Sequence, residues 1–152
     1  MNYEELLIEA DAAGLVTKEK PLRAHNGRIK GKRVAIKKDL TQIEKSCILA
    51  EELGHHYTTV GNILDQSDTN NRKQELRARL WAYNKKIGLQ GIIRAYKANR
   101  IEPDDMAEFL DVTPEFLQDA LQCYKSKYSP CVTVDNYIIF FEPCIAVAEL
   151  FR

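Results

Sequence analysis

Hydrophobic and polar positions alternate with two different periods along this chain. Near the N-terminus Leu6, Leu7, Ala10 and Ala13 recur at helical spacing and run into Gly14, so a first helix with a glycine stop is expected. The next stretch changes period. "RIKG" and "KRVAIKK" alternate or carry β-branched residues, as strands do, and Asn26-Gly27 reads as a turn signal. The second of these strands, Lys32 to Lys38, is so basic that it is expected at a sheet edge, where lysine discourages stray pairing. Thr41-Gln42-Ile43-Glu44 matches a capping box and opens a helix to about Tyr57, with Ile43, Cys47, Ala50 and Leu53 along one side.

Beyond a polar stretch, Val60 to Asn71, the helical period returns in "RKQELRARLWAYNKKI" and in the shorter "LQGIIRAYKANR". Pro103-Asp104-Asp105 and Thr113-Pro114-Glu115 each start a further helix, because proline suits the first helical position and acids suit the positive end of the dipole. "CVTVDNYIIFFEP" reads as a hairpin turning at Asp135-Asn136.

Composition narrows the classes. The chain has 152 residues, enough for a single domain with a core of its own. Lys+Arg and Asp+Glu number 22 each, which argues against a general nucleic-acid binder while leaving room for a local patch. The start "MNYEELLIEADAAG" has neither the basic residues nor the apolar run of a signal peptide, and "YIIFF" is far short of a membrane span, so a cytoplasmic protein is expected. The four cysteines form no C-x-x-C pair and are expected as reduced packing residues. "MAEFLDVTPEFLQDAL" scans as a helix-turn-helix, but no Lys or Arg lies between Arg100 and Lys125, while Asp104, Asp105, Glu108, Asp111, Glu115 and Asp119 are all acidic, so direct DNA readout there is not expected.

The candidate chemistry lies in "CILAEELGHHYTTVG". It falls one residue short of the His-Glu-x-x-His pattern, since Glu51 stands where the first histidine would be. On a helix Glu51 and His55, four apart, share a face, and Glu52 sits beside them as a candidate general base. A carboxylate ligates zinc as imidazole does, and the harder donor set brings Mn²⁺ or Fe²⁺ into range. The best third ligand is Glu75, on a later helix face shared with the small Ala78 and Ala82. By spacing alone, a solvated acidic face beside a histidine pair remains the commoner outcome. His56 is either a substrate contact or a partly exposed helical residue, and His25 has no evident partner.

The flanks add to this. "EKSCILAEELGHHYTT" followed by "QELRARLWA" resembles the ImmA/IrrE family of metallopeptidases, and "NGRIKGKRVAIKKDLT" is similar to that family's hairpin before the catalytic helix. The resemblance covers about residues 1 to 85 well and the remainder more loosely. It implies an α+β, zincin-like fold, mostly helical, with a small antiparallel sheet and an active-site helix. The expected organisation is a single domain over 1–152, with a catalytic core over 1–87, a helical part over 88–130 and a C-terminal hairpin over 131–152. The resemblance further implies Zn²⁺ held by His55 and Glu75, with Glu51 in the remaining ligand position, and Glu52 as general base. The substrate it implies is a repressor encoded beside the peptidase on a prophage or mobile element. That substrate is expected to pair with the strand carrying Val34 and Ile36. The alternative is an inactive anti-repressor using the same surface. Neither direct nucleic-acid binding nor membrane association is expected.

Overall fold

The computed structural model describes residues 1–58 and 68–151. These fall into two compact units, Met1–Lys85 and Lys86–Arg152.

The N-terminal unit opens with α1 (Tyr3–Ala12). Asn2 caps it by accepting from the Glu5 amide at 2.9 Å, and the Glu5 carboxylate accepts from the Asn2 amide at 3.1 Å. Gly14, at φ +81°, ends it as the spacing foretold. Three strands follow: β1 (Val16–Lys20), β2 (Gly27–Lys30) and β3 (Arg33–Lys37). Their order is β1-β3-β2, with β1 parallel and β2 antiparallel to β3.

Three expectations change here. The strand over Lys32–Lys38 is central rather than at an edge, because "VTKEK" pairs with its far side. That segment has too little apolar alternation to announce a strand by itself, and tertiary pairing makes it one. Val34 and Ile36 are 1% and 0% exposed, so they fill the core beneath the sheet and cannot meet a substrate strand. The turn also moves. It lies at Gly31-Lys32, with Lys30 opposite Arg33 and Gly31 at φ +60°. Gly27 is in β2 instead, and the reason is space: a Cβ there would lie 2.4 Å from Ile48 Cγ2 and 3.1 Å from Glu52 Oε1.

Helix α2 (Gln42–Thr58) packs under this sheet. Its capping box forms, with the Glu44 amide donating to Thr41 Oγ1 at 3.1 Å. Leu49, Ala50 and Leu53 are fully buried, and the buried Lys45 ion-pairs with Glu19 of β1, tying helix to sheet. Residues 60–67 of the expected polar loop lie outside the described residues. Its last part, from Asp68, already belongs to α3 (Asp68–Lys86).

The C-terminal unit contains α4 (Gly88–Lys97), α5 (Pro103–Phe109) and α6 (Pro114–Tyr128). Thr113 caps α6 by accepting from the Phe116 amide at 3.1 Å. The expected hairpin gains a third strand: β4 (Cys131–Val134), β5 (Tyr137–Phe140) and β6 (Ala146–Glu149) form an antiparallel sheet in that order. The molecule is thus α+β as expected, with one antiparallel and one mixed sheet. Cysteine burial is uneven: Cys47 is in the core, whereas Cys131 and Cys144 are exposed.

Gly54 is the tightest point of the N-terminal unit. A Cβ there would lie 2.2 Å from the Ala78 carbonyl oxygen of α3. Backbone cannot yield as a side chain can, so Gly54→Ala should cost about 2–4 kcal/mol by forcing α2 from α3. Gly31→Ala, left-handed but in open space, should cost only about 1 kcal/mol. Urea unfolding of both variants measures the contrast; equal, small losses would show that the helices part easily.

Candidate active site

Helix α2 presents Glu51, Glu52, His55 and His56 within a turn and a half, and α3 presents Glu75. The close approach at Gly54 and Ala78 brings the two helices into register. His55 Nε2 lies 3.3 Å from Glu75 Oε2. The other oxygen of Glu75 accepts from Arg79 Nε at 3.1 Å, one turn further along α3, so the carboxylate is held from both sides.

Glu52 lies against β2 at Gly27. Burial, then the neighbouring Glu51 carboxylate, then that of Glu75, push its carboxyl up to about 7 from an ordinary 4.5. Three carboxylates therefore share one region. Glu52, His55 and His56 line an open cleft of about 660 Å³ whose other wall is β2 and the segment before it, with His25, Arg28 and Ile29.

The predicted residues thus separate into two groups. Glu51, Glu52, His55 and Glu75 come together, and His56 lines the cleft beside them. Val34 and Ile36 do not reach it. The strand that does is β2, an edge strand. His25 and Arg28 were not singled out for the cleft. The signal for them was Gly27, a small residue inside a strand pattern, which marks where another element approaches.

The donor atoms can be compared with what a divalent cation requires. Tetrahedral zinc with bonds of about 2.0–2.2 Å sets its donor atoms about 3.4 Å apart. The 3.3 Å between His55 Nε2 and Glu75 Oε2 suits that spacing. The surplus of carboxylate charge around Glu52 also suits a cation. Among the described residues, however, no group of three or more His, Cys, Asp or Glu side chains is arranged to hold a metal ion. Two donors are in place and a third is not assembled with them.

The site thus consists of a helix bearing paired glutamates and a histidine, a second helix bearing a glutamate, and an edge strand. Residues 10–122 match the M78 peptidase family, described as an IrrE N-terminal-like domain, and the chain belongs to that family. The family is one of metal-dependent peptidases and implies a metal cofactor in general terms. No curated protein matches the chain. Among solved structures it is similar to a Mycobacterium tuberculosis transcriptional regulator, at 14% identity and a TM-score of 0.61. The alignment covers 79% of this chain but 40% of that one, and at this identity the likeness concerns the fold. No helix among the described residues is long and apolar enough to cross a membrane.

The carboxylate cluster has a consequence for stability without metal. Glu52 titrates at about 7 when folded and near 4.5 when unfolded, so between these values the folded state binds more protons. Stability is fullest below pH 4.5 on this account and declines as pH rises through 7. In chelator-treated protein, Glu52→Gln should therefore be more stable than wild type at about pH 8, by about 1–2 kcal/mol after allowing for partial exposure. The difference should vanish toward pH 4.5. Urea unfolding across that range reads it, and a variant no more stable than wild type at the alkaline end would refute the cluster's cost.

Proposed function

We propose that this protein is a metal-dependent endopeptidase acting on one protein partner, a repressor encoded beside it on a prophage or mobile element. The observation that supports it most is the meeting of His55 and Glu75 from two helices, 3.3 Å apart, beside a cleft that His55 and Glu52 line. In this reading His55, Glu75 and Glu51 hold the metal, with zinc, manganese and iron all compatible with a mixed imidazole and carboxylate set. When bound, the metal supplies a Lewis acid that acidifies water and polarises a carbonyl.

The chain's own residues do the rest. Glu52 takes the proton of the attacking water as the carbon–oxygen bond forms. It then gives that proton to the departing amide nitrogen as the peptide bond breaks. Its buried, carboxylate-crowded setting raises its proton affinity, which suits both halves of that exchange near neutral pH. The substrate lies as an extended strand along β2. That strand pairs with β3 on one side only, so its other edge offers main-chain groups to a peptide. His56 and Arg28 flank this path and would contact substrate side chains.

A second reading has an observation of its own. Glu51 replaces the usual histidine, and no three-donor set is assembled among the described residues. A protein with this site could bind the repressor through the same cleft without cutting it, acting as an anti-repressor.

Elemental analysis of untagged protein purified without chelator should find close to one metal per chain, lost in Glu75→Ala. Glu52→Gln should keep the metal and reduce repressor cleavage by about 10²–10⁴-fold. Undiminished cleavage would remove Glu52 from the chemistry. Absence of metal after incubation with Zn²⁺ or Mn²⁺, with repressor binding retained, would establish the anti-repressor reading instead.

A further inference from the structure

The outer face of the N-terminal sheet concentrates positive charge that the overall composition conceals. Positive and negative residues balance over the whole chain. Yet the register places Lys18 of β1, Ala35 of β3 and Arg28 of β2 in one row across the sheet, and Val16, Arg33 and Lys30 in another. Residues in one row point to the same face. The opposite face, with Val34 and Ile36, is the one packed in the core. Lys18, Lys20, Arg28, Lys30 and Arg33 line one shallow groove of about 530 Å³, together with the aliphatic Val16, Leu22, Val34 and Ala35. No carboxylate lines it. Glu19, the acid of β1, points the other way and is taken by Lys45. Among the described residues none of the five cations forms an ion pair.

We propose that this face binds the phosphate backbone of duplex nucleic acid, without reading its sequence. The charges are the first argument. Five unpaired cations on a rigid three-stranded platform recur about 6.7 Å apart along a strand and about 10 Å apart across two, a grid on the scale of backbone phosphates. Such an array binds by releasing condensed counterions. The uncharged residues are the second argument. The groove has no aromatic side chain, so it lacks the stacking platform that single-stranded nucleic acid needs. Its apolar lining is aliphatic, Val16, Leu22, Val34 and Ala35, and it carries none of the tyrosine or tryptophan anchors that dominate protein interfaces. With five cations and no carboxylate in the lining, electrostatic contact with a regular polyanion dominates.

The position has a further meaning. Arg28 lines both this groove and the cleft holding Glu52 and His55, so a duplex on the sheet would lie along the rim of the candidate active site. A protein that acts on a DNA-bound partner would thereby be held near it. The binding itself does not depend on the peptidase reading.

The test is fluorescence anisotropy with a labelled random-sequence duplex across a range of salt. Wild type should bind with a dissociation constant of roughly 10⁻⁶–10⁻⁴ M, with log affinity falling against log salt at a slope of about −4. Lys18→Gln/Lys30→Gln should weaken binding at least tenfold at low salt and reduce the slope by about 2. Lys97→Gln/Lys127→Gln, on the other unit, removes the same net charge and should leave both unchanged. Circular dichroism of each variant confirms that it is folded. Absence of binding at about 20 mM salt, or equal losses in the two double variants, would overturn the proposal. So would tighter binding of a single strand, or equal binding of poly-glutamate, which would assign the face to a different polyanion.

Discussion

The site depends on one close approach. Backbone meets backbone where Gly54 of α2 passes the carbonyl of Ala78 on α3, leaving no room for a Cβ. Because Gly54 is adjacent to His55, the same contact that sets the helix separation sets the distance from His55 to Glu75. A wider spacing would leave Glu75 on a solvated helix, held by Arg79 alone. At the observed spacing, it becomes a shared partner of two helices and one of three carboxylates crowding the same region. The second close approach, Gly27 against Ile48 and Glu52, does the same for the sheet. It lets the edge strand β2 lie directly on the motif helix and form the facing wall of the cleft. Two glycines thus determine how near the chemistry-bearing side chains come to one another and to a substrate.

The charge distribution follows a similar logic of segregation. The N-terminal unit gathers acids on the inner side, around Glu51, Glu52 and Glu75, and bases on the outer face of the same sheet. Between them lies a thin apolar layer, Val34, Ile36, Leu49 and Leu53, which keeps the two fields apart. The buried Lys45 of the helix pairs with the exposed Glu19 of β1 and ties helix to strand. An ion pair of this kind contributes little net stability after desolvation, but a mispaired charge there would be costly, so it favours one register of helix on sheet.

Much of this was legible in the sequence because it rests on local chemistry. The capping box at Thr41 and Glu44, the glycine stop at Gly14, the prolines opening α5 and α6, and the motif helix itself each follow from a few adjacent residues. Glu51, Glu52 and His55 were found because helical periodicity alone places them together. Glu75 was found because small residues at Ala78 and Ala82 announced a face that another helix could approach. The family pattern in "AEELGHH" and "ELRARLWA" joined these two signals.

What the sequence could not decide was strand partnership. A strand's own letters say which of its faces is apolar, and nothing about which strand lies beside it. So the most basic strand was expected at an edge, whereas "VTKEK", with almost no apolar signal, paired with it and made it central. That pairing buried Val34 and Ile36, moved the free edge to β2, and brought His25 and Arg28 to the cleft. It also lined up Lys18, Arg28, Lys30 and Arg33, which are scattered in sequence, on one face. Local order along a helix is encoded within four residues, and the sequence determined it. Neighbours across a sheet are set by contacts between segments separated by ten or more residues, and only the tertiary structure decided them.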